Sequence, residues 1–356
     1  MLKFHELEIA ELRPETAHAV CIRFAVPDEL LDEFAYLPGQ HVTLEAEIDG
    51  KRVRRPYSIC SSVDDRALRV AIKRHPDGRF SAFANTSLAA GHRVRVMTPT
   101  GHFVASPEPE SGRTHVAFAA GSGITPILSI VKTLLEREPL GQVILFYGNR
   151  SPEDVMFRSE LADLKDCYLD RFSLYHVLSG PEQEVALLSG RIDAKRCRAL
   201  VDGFCVADRV DQWYVCGPGS MIDDVRATLS ELRVPADRIH FERFRSAKTA
   251  PPARRRPAAV QPGAATITAI FDGRRQTFSI ADGDETLLEA GLRHGLELPF
   301  SCRGGVCATC RARVVEGQVE MDVNHALEPW ELEAGFVLTC QARPRSESIT
   351  VDYDQV

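Results

Sequence analysis

Four cysteines constrain this chain more than any other feature. Cys302, Cys307 and Cys310 follow the spacing C-x4-C-x2-C, and Cys340 comes after 29 further residues. That spacing matches a [2Fe–2S] cage, in which one tight loop presents three thiolates and a distant segment supplies the fourth. Within SCRGGVCATC, Gly304 and Gly305 let the backbone wrap closely and aim N–H groups at sulfur. Structural zinc favours paired knuckles or Cys/His mixtures, and no second C-x2-C is present. The opening residues, MLKFHELEIAELRPE, carry no apolar signal-peptide core, so a disulfide framework is not expected. The other six cysteines (Cys21, Cys60, Cys167, Cys197, Cys205 and Cys216) are scattered singly and read mostly as small buried side chains.

A chain of 356 residues suggests two or three domains. The formal charge of -7 argues against a nucleic-acid-binding surface spread over the molecule. The most apolar stretch, Val116 to Leu135, is interrupted by Gly121, Gly123, Pro126 and Lys132, so no membrane span is expected. A soluble, cytoplasmic protein with neither nucleic acid nor membrane as partner is the expectation. Residues 245–263 hold four prolines, five basic residues and no acid. Such a segment buries too little to fold and reads as a solvated linker, with a reach of roughly 25 Å. Beyond it, residues 264–356 carry fifteen acids against eight bases, which gives that segment an acidic surface of its own.

The fold expectation is multidomain. Within residues 1–108, six short runs of alternating or β-branched character read as strands: Phe4–Leu12, Ala19–Val26, His41–Ile48, Val53–Ile59, Leu68–Lys73 and Arg93–Met97. Pro38-Gly39, Asp49-Gly50, Asp77-Gly78 and Ala90-Gly91 punctuate them, and the pattern suggests a small antiparallel β-barrel. Across 109–244 the rhythm becomes α/β with a parallel sheet. A buried strand at His115–Ala120 meets a glycine turn and a helix through Leu135. A strand at Val143–Tyr147, a helix near Pro152–Leu164 and a strand at Trp213–Cys216 follow. In 264–356, Ala265–Phe271 and Gln276–Ile280 read as a hairpin around Asp272-Gly273, with a helix over Thr286–His294.

Several short motifs fall at telling places. Arg55-Pro56-Tyr57-Ser58 closes a barrel strand and offers a cation, an aromatic face and a hydroxyl, the groups a flavin nucleotide needs. Gly78-Arg79-Phe80-Ser81 follows a strand and opens a helix, placing amides and a hydroxyl at a pyrophosphate. Gly121-Ser122-Gly123-Ile124-Thr125-Pro126 follows HVAFAA, with Pro126 in place of the last glycine of the usual dinucleotide fingerprint and suited to the first helical position. Arg150 and Ser151, after the next strand, favour a 2′-phosphate and hence NADPH over NADH. Cys216-Gly217-Pro218-Gly219-Ser220-Met221 ends a third strand, where open α/β sheets collect ligands. The eleven histidines, His41 among them, show no ligand spacing and read as structural or solvated.

In this order RPYS, GRFS, GSGITP, CGPGSM and a terminal FERF resemble the ferredoxin–NADP reductase superfamily across residues 1–244. Residues 264–356 resemble a plant-type ferredoxin along their whole length. The resemblance implies an FAD-binding barrel, an NADPH-binding α/β domain and a β-grasp [2Fe–2S] domain; some relatives with this order use FMN. It implies that Arg55, Tyr57 and Ser58 meet the flavin and that Gly78 and Ser81 hold its pyrophosphate. Gly121, Gly123 and Thr125 would approach NADPH, as would Cys216, Gly217, Pro218 and Met221 near the nicotinamide. Glu242 and Phe244 would lie close to the flavin ring. Tyr57, Ser58, Cys216 and Glu242 form the expected catalytic set.

The run GQVEMDVNHALEPWELEAGFVLTCQARP is similar to the reductase subunits of the phenylacetyl-CoA epoxidase family, bacterial multicomponent di-iron oxygenases. The implied reaction splits an electron pair. NADPH delivers two electrons as hydride, a [2Fe–2S] centre accepts one, and a flavin between them reconciles the count. Such clusters sit at roughly -400 mV, low enough to reduce a di-iron partner. A reductase for a ring-hydroxylating dioxygenase or another monooxygenase is the alternative, and a non-enzymatic redox sensor the more distant one.

Overall fold

Short strands with alternating side chains open the chain and curl into one antiparallel sheet. They are β1 (Phe4–Thr16), β2 (Ala19–Ala25), β3 (His41–Ile48), β4 (Lys51–Ser58), β5 (Leu68–Lys73) and β6 (Arg93–Met97), in the order β4-β3-β6-β1-β2-β5. A bridge between Ile59 and Val70 ties the end of β4 to β5 and closes the curl. Helix α1 (Arg79–Thr86) lies between β5 and β6 in the chain. Leu7, Ile9, Val20, Ile22, Leu44 and Val70 fill the interior. The opposite face of β2 and β5, with Ala19, Cys21 and Ala71, belongs to a second core shared with the next layer. Both faces are buried, which is why AVCIRFA reads almost without polar breaks. This computed structural model describes residues 3–180, 184–244, 265–280 and 286–355; the linker expected at 245–263 lies outside them.

The next layer is wholly parallel. Its elements are β7 (Thr114–Ala120), α2 (Ile124–Arg137), β8 (Gln142–Asn149), α3 (Arg158–Cys167), β9 (Phe172–Leu178), α4 (Ala194–Phe204), β10 (Gln212–Gly217), α5 (Gly219–Glu231) and β11 (Ile239–Arg243). The sheet order is β11-β10-β7-β8-β9. Ala117, Leu145 and Tyr147 pack with α2 on one face, while Phe118, Phe146 and Trp213 pack on the other with residues of α4 and α5. The strand sequence grows outward from β7 through β8 and β9, then returns to β10, so β7 and β10 flank a topological switch point.

Helix α2 also seals the seam with the barrel: Ile127, Ile130, Val131 and Leu134 share a core with Cys21, Cys60, Ala71 and Phe103. Ion pairs reinforce it, Lys132 reaching Asp65 at 2.6 Å and Glu160 at 3.0 Å, and Arg69 reaching Glu160 at 2.8 Å. The two sheets therefore fold as one compact unit, Phe4–Val53 with Tyr57–Phe244, and a second unit holds the remaining elements.

Two expected helices change shape. Pro152–Asp154 forms only a 3-10 turn, and α3 begins at Arg158. Val155, Met156 and Phe157 bury their side chains in the core, which pulls the chain off a helical path. Phe157 sits at φ 58, its N–H bonded to the Glu15 carboxylate at 2.8 Å. Pro126 is the third residue of α2, not the first; its missing N–H still costs nothing, since first-turn N–H groups have no helical partner.

The second unit contains β12 (Ala265–Phe271), β13 (Arg274–Ile280), α6 (Leu287–Arg293), β14 (Arg311–Glu316), β15 (Val319–Met321), α7 (Pro329–Glu333), β16 (Phe336–Leu338), β17 (Ala342–Pro344) and β18 (Ser348–Asp352). The main sheet runs β13-β12-β18-β14-β16, with β12 and β18 parallel, and β15 pairs with β17. Leu287, Leu288 and Ala290 of α6 meet Ile267, Phe278 and Ile349, a sheet grasping one helix. At the first hairpin Asp272 and Gly273 both take positive φ, 54° and 67°, as a two-residue turn between twisted strands requires. Thr286 caps α6 by accepting from Glu289 N at 3.3 Å. Of the six scattered cysteines, Cys21, Cys60, Cys197 and Cys216 are buried, Cys205 is half-buried and Cys167 is exposed.

Candidate functional site

The loop between α6 and β14 gathers the cysteine motif. Cys307, Cys310 and Cys340 are buried and Cys302 is half-buried. The side chain of Cys302 hydrogen-bonds that of Cys307, and Cys310 hydrogen-bonds Cys340. The pairs are close enough to feel one another, Cys307 acting on Cys310 and Cys302 on Cys340. Gly304 N donates to Cys302 Sγ at 3.3 Å, and Gln341 Nε2 donates to Cys340 Sγ at 3.6 Å. The Cys307 hydrogen bond and three backbone N–H groups outweigh burial and pull the Cys302 thiol down to about 6. Left-handed backbone falls on Arg303, Gly305 and Ala308, so of the two loop glycines only Gly305 uses its freedom. A Cβ there would come 3.0 Å from Val323 O.

This donor set fits a two-iron cluster. Among the described residues no group of three His, Cys, Asp or Glu side chains is arranged to hold a single ion. Two adjacent thiol pairs suit two irons, with amides turned to sulfur. The Ser301 hydroxyl beside Cys302 is buried with no hydrogen-bond partner among the described residues.

The barrel presents a second site. Tyr57 lies with its ring centroid 5.6 Å from that of Phe80. Helix α1 starts after Gly78 with no side-chain cap, leaving its first N–H groups for an anion. A Cβ on Gly78 would lie 2.3 Å from Ser81 Oγ. The Ser81 hydroxyl accepts from His75 N and donates to Gly78 O, both at 3.0 Å, so it builds the turn and leaves the amides to the ligand. Arg55 is exposed and donates to the carbonyl of Arg54 at 2.7 Å. The Thr43 hydroxyl and His41 Nε2 are buried without a partner among the described residues. Open amides and orphaned polar atoms fit a flavin nucleotide.

The third site forms at the switch point. Gly121 takes φ 53 and the turn runs into α2 without a side-chain cap. Gly123 is obligatory, because a Cβ would fall 2.1 Å from Cys216 O. Thr125 donates to Ser122 O at 3.0 Å and so stabilises the turn itself. Gly217 follows Cys216 where a Cβ would meet Met221 Cε at 2.6 Å, and Pro218 precedes α5. Arg150 is exposed, and the Ser151 hydroxyl reaches Asp154 at 3.4 Å. Phe244, the residue after β11, is exposed.

Barrel and parallel sheet meet at Glu242. Strand register sets Cys216 beside Glu242, and Ser58 Oγ donates to Glu242 Oε2 at 3.2 Å. Burial pushes the Glu242 carboxyl up to about 8 against the opposing Ser58 hydrogen bond. Burial, aided by Glu242, also raises the Cys216 thiol. Three residues of the expected catalytic set thus converge. His41 joins them, Nδ1 at 3.9 Å from Glu242 Oε1. Its local sequence carried no motif; only barrel closure against β11 brings it here.

Comparison with known proteins finds a family model over each of the three regions. Family models for an oxidoreductase FAD-binding domain, an oxidoreductase NAD-binding domain and a 2Fe-2S iron-sulfur cluster binding domain match residues 8–104, 118–227 and 270–345. The chain belongs to the reductase components of oxygenases, oxidoreductases that join FAD, a nicotinamide nucleotide and a [2Fe–2S] cluster. It is 42% identical to one of the subunits of 1,2-phenylacetyl-CoA epoxidase of Escherichia coli, over 99% of both chains. It is 35% identical to the ferredoxin reductase component of 3-ketosteroid-9-alpha-monooxygenase of Rhodococcus rhodochrous, covering 98% of this chain and 96% of that one. Phthalate dioxygenase reductase shares the fold at a TM-score of 0.59 and 24% identity, over 98% of each chain. A type IV self-sufficient cytochrome P450 monooxygenase gives 0.70 at 21% identity, where 98% of this chain spans 41% of that one. Among the described residues no helix is long and apolar enough to cross a membrane.

Proposed function

We propose that this protein carries electrons from NADPH through FAD and the [2Fe–2S] cluster to a di-iron oxygenase in the cytoplasm, and that this oxygenase is a phenylacetyl-CoA epoxidase. The 42% identity to a component of that enzyme, along 99% of both chains, carries the reading. The proposed division is an FAD barrel over 1–108, a nicotinamide domain over 109–244, a linker over 245–263 and a ferredoxin domain over 264–356. Arg55, Tyr57, Ser58, Gly78 and Ser81 serve FAD. Gly121, Gly123, Thr125, Arg150, Gly217, Pro218 and Met221 serve the nucleotide, and Cys302, Cys307, Cys310 and Cys340 hold the irons. A bound flavin supplies the ability to accept a hydride and release electrons one at a time. The chain's part is alignment: Gly123 and Gly217 let the turns after β7 and β10 close on each other to build the nucleotide's seat, while Ser58, Cys216 and Glu242 gather around the place of the reacting rings.

The test is reconstitution. Purified holoenzyme, NADPH and the oxygenase component of phenylacetyl-CoA epoxidase should together convert phenylacetyl-CoA to its epoxide, and NADH should support a lower kcat/KM. Turnover with a steroid or ring-hydroxylating oxygenase but not with the epoxidase would favour the second reading, which the 35% identity to a ketosteroid monooxygenase component supports.

A further inference from the structure

The turn after β7 owes its shape to carbonyls that are tied inward. Gly121 O accepts from Ile124 N and from the Tyr147 hydroxyl, the latter at 3.1 Å. Ser122 O accepts from Ile124 N and, at 3.0 Å, from the Thr125 hydroxyl. Each oxygen thus has both lone pairs engaged. In a trans peptide the N–H points opposite to the C=O. Tying Gly121 O inward therefore aims the Ser122 N–H outward, and tying Ser122 O aims the Gly123 N–H outward. First-turn N–H groups have no helical partner, so both remain for an anion. Apart from its chain neighbours, no atom of the described residues lies within 4 Å of the place a Gly121 Cβ would take, so that side of the turn is open.

Tyr147 is placed to hold that aim. It lies on β8, completely buried, in the core that α2 shares with the barrel. The Met156 N–H donates to its hydroxyl. That N–H is spare because the chain leaves the helical path there, Val155 being extended and Phe157 left-handed at φ 58. The kink is itself anchored, the Phe157 N–H reaching the Glu15 carboxylate at 2.8 Å. With Met156 donating to its oxygen, the hydroxyl gives its own proton to Gly121 O.

We propose that Tyr147 is a positioning residue for the nicotinamide nucleotide: through Gly121 O it aims the Ser122 N–H at the nucleotide's pyrophosphate. Thr125 does the same for the Gly123 N–H through Ser122 O. The inference rests on the function proposed above and adds to it a residue that acts on the nucleotide without meeting it. NADPH and NADH share the pyrophosphate, so Tyr147 governs the affinity for both alike and leaves the choice between them to Arg150 and Ser151.

The experiment measures ferricyanide reduction by the Y147F holoenzyme, which keeps the ring and loses the hydroxyl. KM should rise about fivefold for NADPH and NADH alike, with kcat at saturation within about twofold of wild type. Reduced nicotinamide mononucleotide, which has no pyrophosphate, should show no such rise. The upward shift in thermal midpoint given by saturating NADP+ should shrink in Y147F. T125V removes the second brace and should lose affinity in the same pattern, which keeps the test decisive if Y147F fails to hold flavin. An unchanged KM for NADPH in Y147F would overturn the proposal, even beside a lowered thermal midpoint, because the hydroxyl would then brace the core alone. An equal rise with the mononucleotide would overturn it too, as would an unchanged KM in T125V. Failure of the wild-type protein to accept electrons from NADPH or NADH would instead overturn the function it rests on.

Discussion

Glu242 shows how one enclosed carboxyl ties chemistry to stability. Its ordinary value of 4.5 is raised to about 8 in the fold by burial. A carboxyl raised on folding stabilises the protein fully below its unfolded value, and that contribution is lost as pH rises through the folded one. The FAD-loaded wild type should therefore lose denaturant resistance as pH rises from about 5 to about 8, whereas E242Q should lose less over that interval. An equal loss of unfolding free energy over that pH interval, read from urea titrations of the two proteins, would contradict the assignment. At this scale the chemistry-bearing residues with motifs around them, Ser58 and Cys216, were legible in the sequence. His41 was not, because nothing within several residues of it is unusual. Its meaning comes from β11, which is adjacent only in space.

Among the elements, the two turns at the switch point do most to define the nucleotide site. β7 and β10 are neighbours in a parallel sheet, so their C-terminal turns converge, and Gly123 is the point of contact. A methyl group there would sit 2.1 Å from a backbone oxygen that cannot rotate away. Forcing such a contact costs about 1–3 kcal/mol. G123A should accordingly weaken NADPH binding by about tenfold, read from flavin difference spectra, while FAD content stays at one per chain. Tight NADPH binding by G123A would show that the turn tolerates a side chain and does not touch the nucleotide. Elements with strong local signals, such as β3, β5 and β6, lie where their alternation predicts. β9, α4 and β11 were not anticipated. SLYHV and IHFER alternate weakly, and the buried face of α4 is short, Cys197, Leu200 and Val201 set among charged residues, so tertiary packing decides them.

For the whole molecule the division of labour is the main consequence. Tyr57, Ser58, Gly78, Ser81 and the glycine turns after β7 and β10 lie in one compact unit, and the four cysteines lie in the other. C307S, which removes one thiolate of the Cys302–Cys307 pair, should lose the cluster's visible absorption and at least about 90% of electron delivery to a one-electron protein acceptor. Bleaching of the flavin by NADPH should survive in the same preparation. Loss of bleaching together with the cluster would mean that the two functions are not separable in this chain.

The sequence alone determined what is local: the C-x4-C-x2-C loop, the glycine turns after strands, and the barrel-then-α/β rhythm. These depend on spacing along the chain and on backbone freedom, which are written residue by residue. Only the tertiary structure decided that Ser58, His41 and Cys216 come together around Glu242, and that α2 welds barrel and sheet into a single core. Burial and adjacency arise from long-range strand pairing, and the same burial raises the Glu242 carboxyl and leaves His41 Nε2 without a partner among the described residues.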